Sequence, residues 1–593
     1  MANGHYPAST CTTLPGRTRG IGKSATTFAV SSRELTLRAL LTGLLLGALL
    51  APSNVYSGLK IGWSFNMSII ALLIGFAFWQ SIAVAFGRPR WSLLESNINQ
   101  TTASSCASII SGGLVAPIPA YTLLTGQQLD SLPLMAWVFS VSFLGVWVAW
   151  YLRPSLIVES GLRFPEGMAT LATLQQIYSH GAEAGRRLWA LGGAAVLAAG
   201  SKLVDTFFWT LPRWAPSAQL ERLTFSFEPA LLLLGFGGII GLRVGLSLLL
   251  GAVLAWGLIA PWLLAEGLVR LPAAAQGPQF AALIEWLLWP GVSLMVCATL
   301  TSLGLRLLRS RSPTTRRRPV LRRPYGWPAA GFALSVGLVL ALQVSLFGID
   351  PWLAALSIPL ALLLAMVAAR VVGATGIPPI GAIGQLSQLS FGVFAPGQVP
   401  VNLMSANTAG GAAGQCTDLL NDFKVGHAIG AAPGRQALAQ CFGILLGSVV
   451  GVLAYQLLIP DPQSMLITPE WPAPAVATWK AVAEALTGGL GALAADIRWA
   501  MLAGALCGVL LGTLEGLLPE RRLRWLPSSA ALGLAFIIPA SISLMMTFGA
   551  VLACAFASRW RSFGERFVIV AAAGLVAGES MAGVGASLWQ LLR

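Results

Sequence analysis

Residues 66–86, 132–152 and 327–347 of this chain carry no charged side chain. Each run is roughly 20 residues long, enough to cross about 30 Å of hydrocarbon as an α-helix. Lipid offers no partner for backbone amides and carbonyls, so only α-helices and closed β-barrels span it. A barrel would show segments of about ten residues with alternating polarity. The runs here are continuously apolar, which excludes a barrel. The chain is therefore predicted to be an all-α integral membrane protein.

Composition supports this. Of 593 residues, 56% are hydrophobic and only 10% charged, against about 25% charged in soluble domains. Most of the surface must face something other than water. The 65 glycines and 35 prolines would disrupt soluble helices, but in membranes they mark close packing or broken helices. The 21 tryptophans suit anchors at the membrane–water interface.

The net charge of +15 would suggest nucleic acid in a soluble protein. Here the basic residues gather in short connecting segments, where they orient the chain in a bilayer. Arg17, Arg19, Lys23 and Arg33 precede the first span, and eight arginines with no acid lie between Arg306 and Arg323. Four segments are expected: a cytoplasmic tail (1–33), a first membrane repeat (34–305), a basic cytoplasmic linker (306–325) and a second membrane repeat (326–593). The first 34 residues hold no apolar core, so no cleaved signal peptide is expected. One signal conflicts with simple counting. Arg521, Arg522 and Arg524, and also Arg559, Arg561 and Arg566, flank one helical pair. Both clusters ask for the cytoplasmic side, which a broken or re-entrant segment would allow.

The halves resemble each other. At an ungapped offset of 298, Pro229, Leu234, Gly235, Ile239, Ile240, Leu246 and the run 251–255 recur in 527–553. Glu285 with 291–294 also aligns with Glu579 and 585–588, and Asn97 echoes Asn402. Duplication of this kind builds secondary transporters, with the substrate site at the repeat interface. If both halves begin in the cytoplasm, each has an even number of spans and the repeats are parallel.

Some segments cannot face lipid. ESNINQTTASSCASIIS (95–111) and NLMSANTAGGAAGQCTDLLNDFK (402–424) are rich in polar residues between apolar spans, so they must face protein or a water-filled cavity. The stretch 373–400 holds too much Gly and Pro for one continuous helix, and NVYSGLKIGWSFN (54–66) carries the isolated Lys60. Broken helices leave amides and carbonyls free to bind polar ligands or ions.

The order of NVYSGLKIGWSFN, ESNINQTTASS, FPEGMA (164–169), the run 381–392, TDLLNDFKVG (417–426), APGRQALAQ (432–440) and GLVAGES (574–580) resembles the oligopeptide transporter superfamily, with its peptide and yellow stripe-like clades. The resemblance covers residues 34 to the end. It implies about sixteen helices in two related halves, a possible homodimer, and proton-coupled uptake of small peptides or of metals held by amino-acid-derived chelators. The NPGPFNxKEH signature of the eukaryotic peptide clade has no clear match, and its KIPPR motif is reduced to residues 431–435. Compact loops suggest a bacterial member, placed in the inner (plasma) membrane.

Each candidate residue has a functional and a structural reading. An acid inside a span costs about 2.5–3.5 kcal/mol on insertion scales. Proton-coupling candidates are Glu95, Glu166, Asp418, Asp422 and Glu579. Glu95 and Glu166 also sit where helix starts want an acid. Asp418 and Asp422 share a helical face, although Asp422 could pair with Lys424. Glu579 could instead bond backbone. Substrate-binding candidates are Lys60 and Arg435 for carboxylates, with Asn66, Asn97, Gln100, Asn402 and Asn407 for peptide amides. Their alternative roles are snorkelling, marking a cytoplasmic end and gluing helices.

Seven cysteines without a CxxC pair and three histidines argue against a resident metal site, and no cofactor is expected. GxxxxGK[ST], HExxH and GxSxG are absent. The expected function is proton-driven symport of small oligopeptides or peptide-like compounds, with metal-chelate uptake as the alternative within transport. A membrane-embedded enzyme is the reading from another class, and a passive channel a third.

Overall fold

The computed structural model describes residues 34–592 apart from 63–66, 88, 161, 180, 270–276, 310–325, 377–379, 490, 492 and 561–563. The 1–33 tail, Asn66 and most of the basic linker lie outside the described residues.

The first half contributes α1 (Leu37–Ile61), α2 (Ser68–Phe86), α3 (Leu93–Ala107), α4 (Pro117–Thr125), α5 (Ser131–Arg153) and α6 (Pro165–Ser179). It continues with α7 (Gly181–Phe207), α8 (Ala218–Arg222), α9 (Leu231–Ile240), α10 (Leu242–Ala252), α11 (Ala260–Ala265) and α12 (Phe280–Arg309). The second half adds α13 (Trp327–Phe347), α14 (Pro351–Thr375), α15 (Ile380–Phe394), α16 (Val399–Ile429), α17 (Pro433–Leu458) and α18 (Pro462–Met465). Last come α19 (Pro474–Thr487), α20 (Ala495–Leu517), α21 (Glu520–Leu523), α22 (Ser529–Leu534), α23 (Ala540–Arg559) and α24 (Ile569–Leu592). Among the described residues the strand-like pairing is confined to one bridge, Trp214 with Phe227.

Thirteen helical segments among the described residues are long and apolar enough to cross a membrane, fewer than the sixteen expected. The shortfall has a local cause. The apolar helices α9 and α15 are too short to cross alone, whereas α16, at 31 residues, is long but polar. Nearly all of α16 is buried, as are residues 95–107 of α3. Both polar segments therefore face protein, as lipid requires.

Helix starts follow the sequence. Thr36 accepts from the Ala39 amide to cap α1. Ser92 and Glu95 form a capping box on α3, satisfying two amides that have no partner inside the helix.

The helices sort into two bundles. One joins α1–α6 to α13–α19, built on the pairs α1/α3, α3/α17, α1/α17, α5/α16 and α14/α16. The other joins α7–α12 to α20–α24, built on the pairs α12/α20, α7/α24 and α9/α23. Each bundle thus draws on both halves of the chain.

In the second bundle the duplicated stretches form hairpins. The chain reverses at Gly241, whose φ of 82° suits glycine. Gly237 and Gly245 both pack on Ala550, one from each arm. The matched stretch breaks after Leu534 and resumes at Ala540, the position that corresponds to Leu242. The arms pair in register. Arg243 reaches the Leu526 carbonyl, Ser247 the Ser528 amide, and Gly251 abuts Leu532. α10 therefore runs parallel to α22. Because α9 folds back against α10, α9 runs opposite to its own counterpart α22. For these stretches the relation is inverted, not the parallel one expected. A sequence match identifies equivalent residues, but the number of intervening crossings sets direction, and the re-entrant hairpins made that count wrong.

A second expectation is also corrected. Gly235 packs on Ala572, Leu575 and Val576, and its counterpart Gly533 on Gly291, Leu294 and Met295. By this packing Glu579 corresponds to Ala298. Glu285, which is exposed, is not its partner.

Candidate functional site

The seam between the bundles holds a charged cavity of about 90 Å³. The first bundle supplies Tyr56 and Lys60 from the end of α1, with Pro469 and Glu470 from the loop before α19. From the second come Lys202 and Asp205 on α7, Arg213 and Glu228 from the α7–α9 connection, and Glu579 on α24. Three bases and four acids thus face one space in a chain of which only 10% of residues are charged.

Their partners fix the geometry. Lys202 lies 3.5 Å from Asp205, and Arg213 3.3 Å from Glu228. The Lys60 Nζ sits 5.3 Å from the Trp471 ring centroid, and Trp471 packs edge-on against Tyr56. The Glu579 carboxylate accepts from the Leu232 amide at 2.7 Å. Leu232 is in the first turn of α9, where unpaired amides and the helix dipole favour an anion. Beside this contact Ser53 on α1 and Ser580 on α24 hydrogen-bond across the seam at 2.8 Å.

The cavity adjoins a wider vestibule of about 390 Å³, sharing Arg213, Glu228 and Pro469 with it. Pro278 and Pro539 also line the vestibule. α12 starts beside Pro278 and runs 30 residues to the basic linker, about 45 Å at 1.5 Å per residue. The vestibule and the linker therefore lie on opposite faces.

Of the residues predicted from sequence, the cavity gathers Lys60 and Glu579. The others lie elsewhere. Glu95 is held by Arg38 through 2.6 and 2.7 Å bonds and by Thr36, with the Arg38 guanidinium beside the Trp79 and Trp91 rings. Its surroundings are those of a helix anchor. Arg435 pairs with Glu34 at 3.6 Å. Asn402 exchanges bonds with Gln388, and Asn407 donates to the Gly112 carbonyl, so both tie helices together. Glu166 accepts from Asn421 at 2.9 Å. Asp418 and Asp422 follow on the same α16 face, and Gln100 donates to Asn97 and Thr101 nearby on α3. Lys424 donates to the Leu162 carbonyl rather than pairing with Asp422.

Sequence reasoning missed Tyr56, Lys202, Asp205, Arg213, Glu228 and Glu470. Lys202 and Asp205 had a signal, because they are charges inside an apolar helix. The loop residues had none, since only folding brings 213, 228 and 470 together.

A family model described as OPT oligopeptide transporter protein matches residues 34–323 and 312–590. A putative oligopeptide transporter of Saccharomyces cerevisiae is 24% identical, covering 77% of this chain and 82% of the relative. A probable metal-nicotianamine transporter of Oryza sativa subsp. japonica is 23% identical, covering 94% and 90% respectively. A putative oligopeptide transporter of Haemophilus influenzae is 25% identical, covering 89% and 91%.

Proposed function

We propose that this chain, which belongs to the oligopeptide transporter family, imports small oligopeptides or peptide-like compounds by proton-coupled symport across the bacterial inner membrane. The observation that carries this reading is the mixed-charge cavity at the seam of two bundles. A peptide presents both an ammonium and a carboxylate. Lys60 suits the carboxylate as a point charge, and Glu470 and Glu579 suit the ammonium. Transporter sites near a repeat interface are exposed alternately as one bundle rocks against the other. With the basic linker cytoplasmic, the vestibule opens outward in this conformation. A cavity of about 90 Å³ is below the roughly 300–1,000 Å³ of an ordinary ligand site, so substrate entry requires the seam to widen.

Glu579 supports the proton coupling. It is a buried carboxylate in the cavity, and its bond to Leu232 ties α24 to the α9 hairpin. Protonation removes the charge and weakens that tie, linking proton arrival to hairpin movement. Glu166 on α6, which accepts from Asn421 of α16, and Asp418 on α16 would receive the proton after the seam reverses.

Metal-chelate uptake is the second reading, favoured by the nicotianamine transporters among the relatives. Among the described residues no group of three or more His, Cys, Asp or Glu could hold a metal ion, so such a cargo would have to keep its own chelator.

The test is uptake into proteoliposomes loaded with a pH-sensitive dye under an inward proton gradient. The panel is di- to pentapeptides, glutathione, and iron or nickel chelates. Proton influx triggered by peptides, and lost in Glu579→Gln, supports the symporter. Influx with chelates alone moves the substrate to the second reading. Full accumulation without any proton or electrical gradient would sink the coupling.

A further inference from the structure

A further buried carboxylate lies in the first bundle, outside the residues that line the seam cavity. Asp422 on α16 is 3% exposed, and among the described residues no cation pairs with it. Lys424 is committed to the Leu162 carbonyl, Arg153 lies over the Phe423 ring, and Arg38 is paired with Glu95. The other charged groups near Asp422 are Asp418 and Glu166, both acids. Burial of an unpaired carboxylate costs several kcal/mol or more unless something offsets its charge.

Three buried oxygens from three helices have no hydrogen-bond donor here. They are Asp422 Oδ2, Gln100 Oε1 on α3 and, on α17, Oε1 of Gln440, whose Nε2 is likewise without a partner. The three helices that carry them pack against one another. Gln100 and Thr101 reach the Asp422 carboxyl. Gln436, one turn before Gln440, donates to the Asp422 carbonyl at 2.9 Å. Gly443, in the next turn, packs on Thr102 and Ser105. Gln440 thus sits on the α17 face that meets both Asp422 and the polar turn of α3.

We infer that Asp422, Gln100 and Gln440 form a binding site for a monovalent alkali cation, in which one carboxylate and two amide oxygens replace part of the ion's hydration shell. Hard oxygen ligands suit such ions. A single proton on Asp422 would cancel the charge but satisfy only one amide oxygen. A water would satisfy two acceptors and leave the charge in place. An alkali cation does both: it offsets the carboxylate and ligates all three oxygens. The assignment gives Asp422 a task distinct from the proton coupling proposed at the seam, and it does not depend on what the seam transports.

The test uses the purified full chain in detergent. Its thermal unfolding is followed as sodium or potassium chloride replaces choline chloride at constant ionic strength. The expected result is a saturable rise in Tm with one alkali cation over choline, since a ligand that binds only the folded state stabilises it by mass action. Asp422→Asn abolishes the rise. Gln440→Leu keeps the fold and weakens the apparent cation affinity by on the order of tenfold, the scale of losing a supporting group at an ion site. Equal Tm in sodium, potassium and choline for the unaltered protein overturns the inference, as does a rise that survives in both variants. Should Asp422→Asn fail to fold, the unaltered protein and Gln440→Leu still decide. Loss of peptide uptake with the cation-dependent rise intact counts against the transport reading alone.

Discussion

The carboxylate of Glu579 holds the backbone amide of Leu232 at 2.7 Å, joining the middle of α24 to the first turn of a re-entrant hairpin. A buried charge inside the membrane domain thus secures the element that borders the cavity. Glu579→Gln keeps an oxygen for the Leu232 amide and should fold normally. Proton-driven accumulation should fall by on the order of tenfold, the effect of about 1.4 kcal/mol. Substrate exchange without a gradient should persist. Paired accumulation and counterflow assays check this, and equal losses in both would assign Glu579 to substrate binding or structure instead.

Lys60 should discriminate between substrates. A hydrogen bond to a charged group is worth about 1.5–3 kcal/mol, so Lys60→Gln should raise KM for free-carboxylate peptides by roughly ten- to a hundredfold. Carboxy-amidated peptides should be nearly unaffected. Equal KM changes for both classes would separate Lys60 from the carboxylate.

Motion at the seam can be arrested. Ser53 and Ser580 face each other at 2.8 Å between hydroxyls, compatible with the short Cβ separation that a disulfide needs. Ser53→Cys with Ser580→Cys, in a background without the native cysteines, should lose uptake on oxidation and regain it on reduction. Uptake by the cross-linked protein at the normal rate would rule out relative movement of the bundles at this level.

Arg38 and Glu95 should matter for stability alone. Arg38→Ala removes the paired bonds to a nearly buried carboxylate and the contacts with Trp79 and Trp91. A cost of roughly 1–3 kcal/mol is expected, read as a lowered Tm with unchanged KM. A changed KM at unchanged Tm would place the pair in the transport cycle.

The hairpin pair makes a reciprocal prediction. A Cβ at Gly251 would lie 2.6 Å from the Leu532 carbonyl oxygen, and one at Gly549 would meet the Leu234 carbonyl. These positions are equivalent at the 298 offset. Gly251→Val and Gly549→Val should therefore destabilise to a similar extent, about 1–3 kcal/mol each. A large effect at one and none at the other would break the equivalence.

The chain's own residues determined its class. Continuous apolar runs allow only membrane helices, because a lipid-exposed amide has no other partner than its own helix. They also determined that residues 95–111 and 402–424 turn inward, since Asn97, Gln100, Asn402 and Asn407 would be costly in lipid. The equivalence of Gly251 with Gly549 could be read directly from spacing. Direction could not, because a hairpin that turns at Gly241 and a span that crosses have nearly the same hydropathy. Nor could the cavity be read from order along the chain. Lys60, Arg213, Glu470 and Glu579 are far apart in sequence, and each alone resembles an interfacial charge. They meet only because both bundles draw helices from both halves, so the seam forms where packed faces of distant segments end. Side-chain packing decided that, at distances no periodicity encodes.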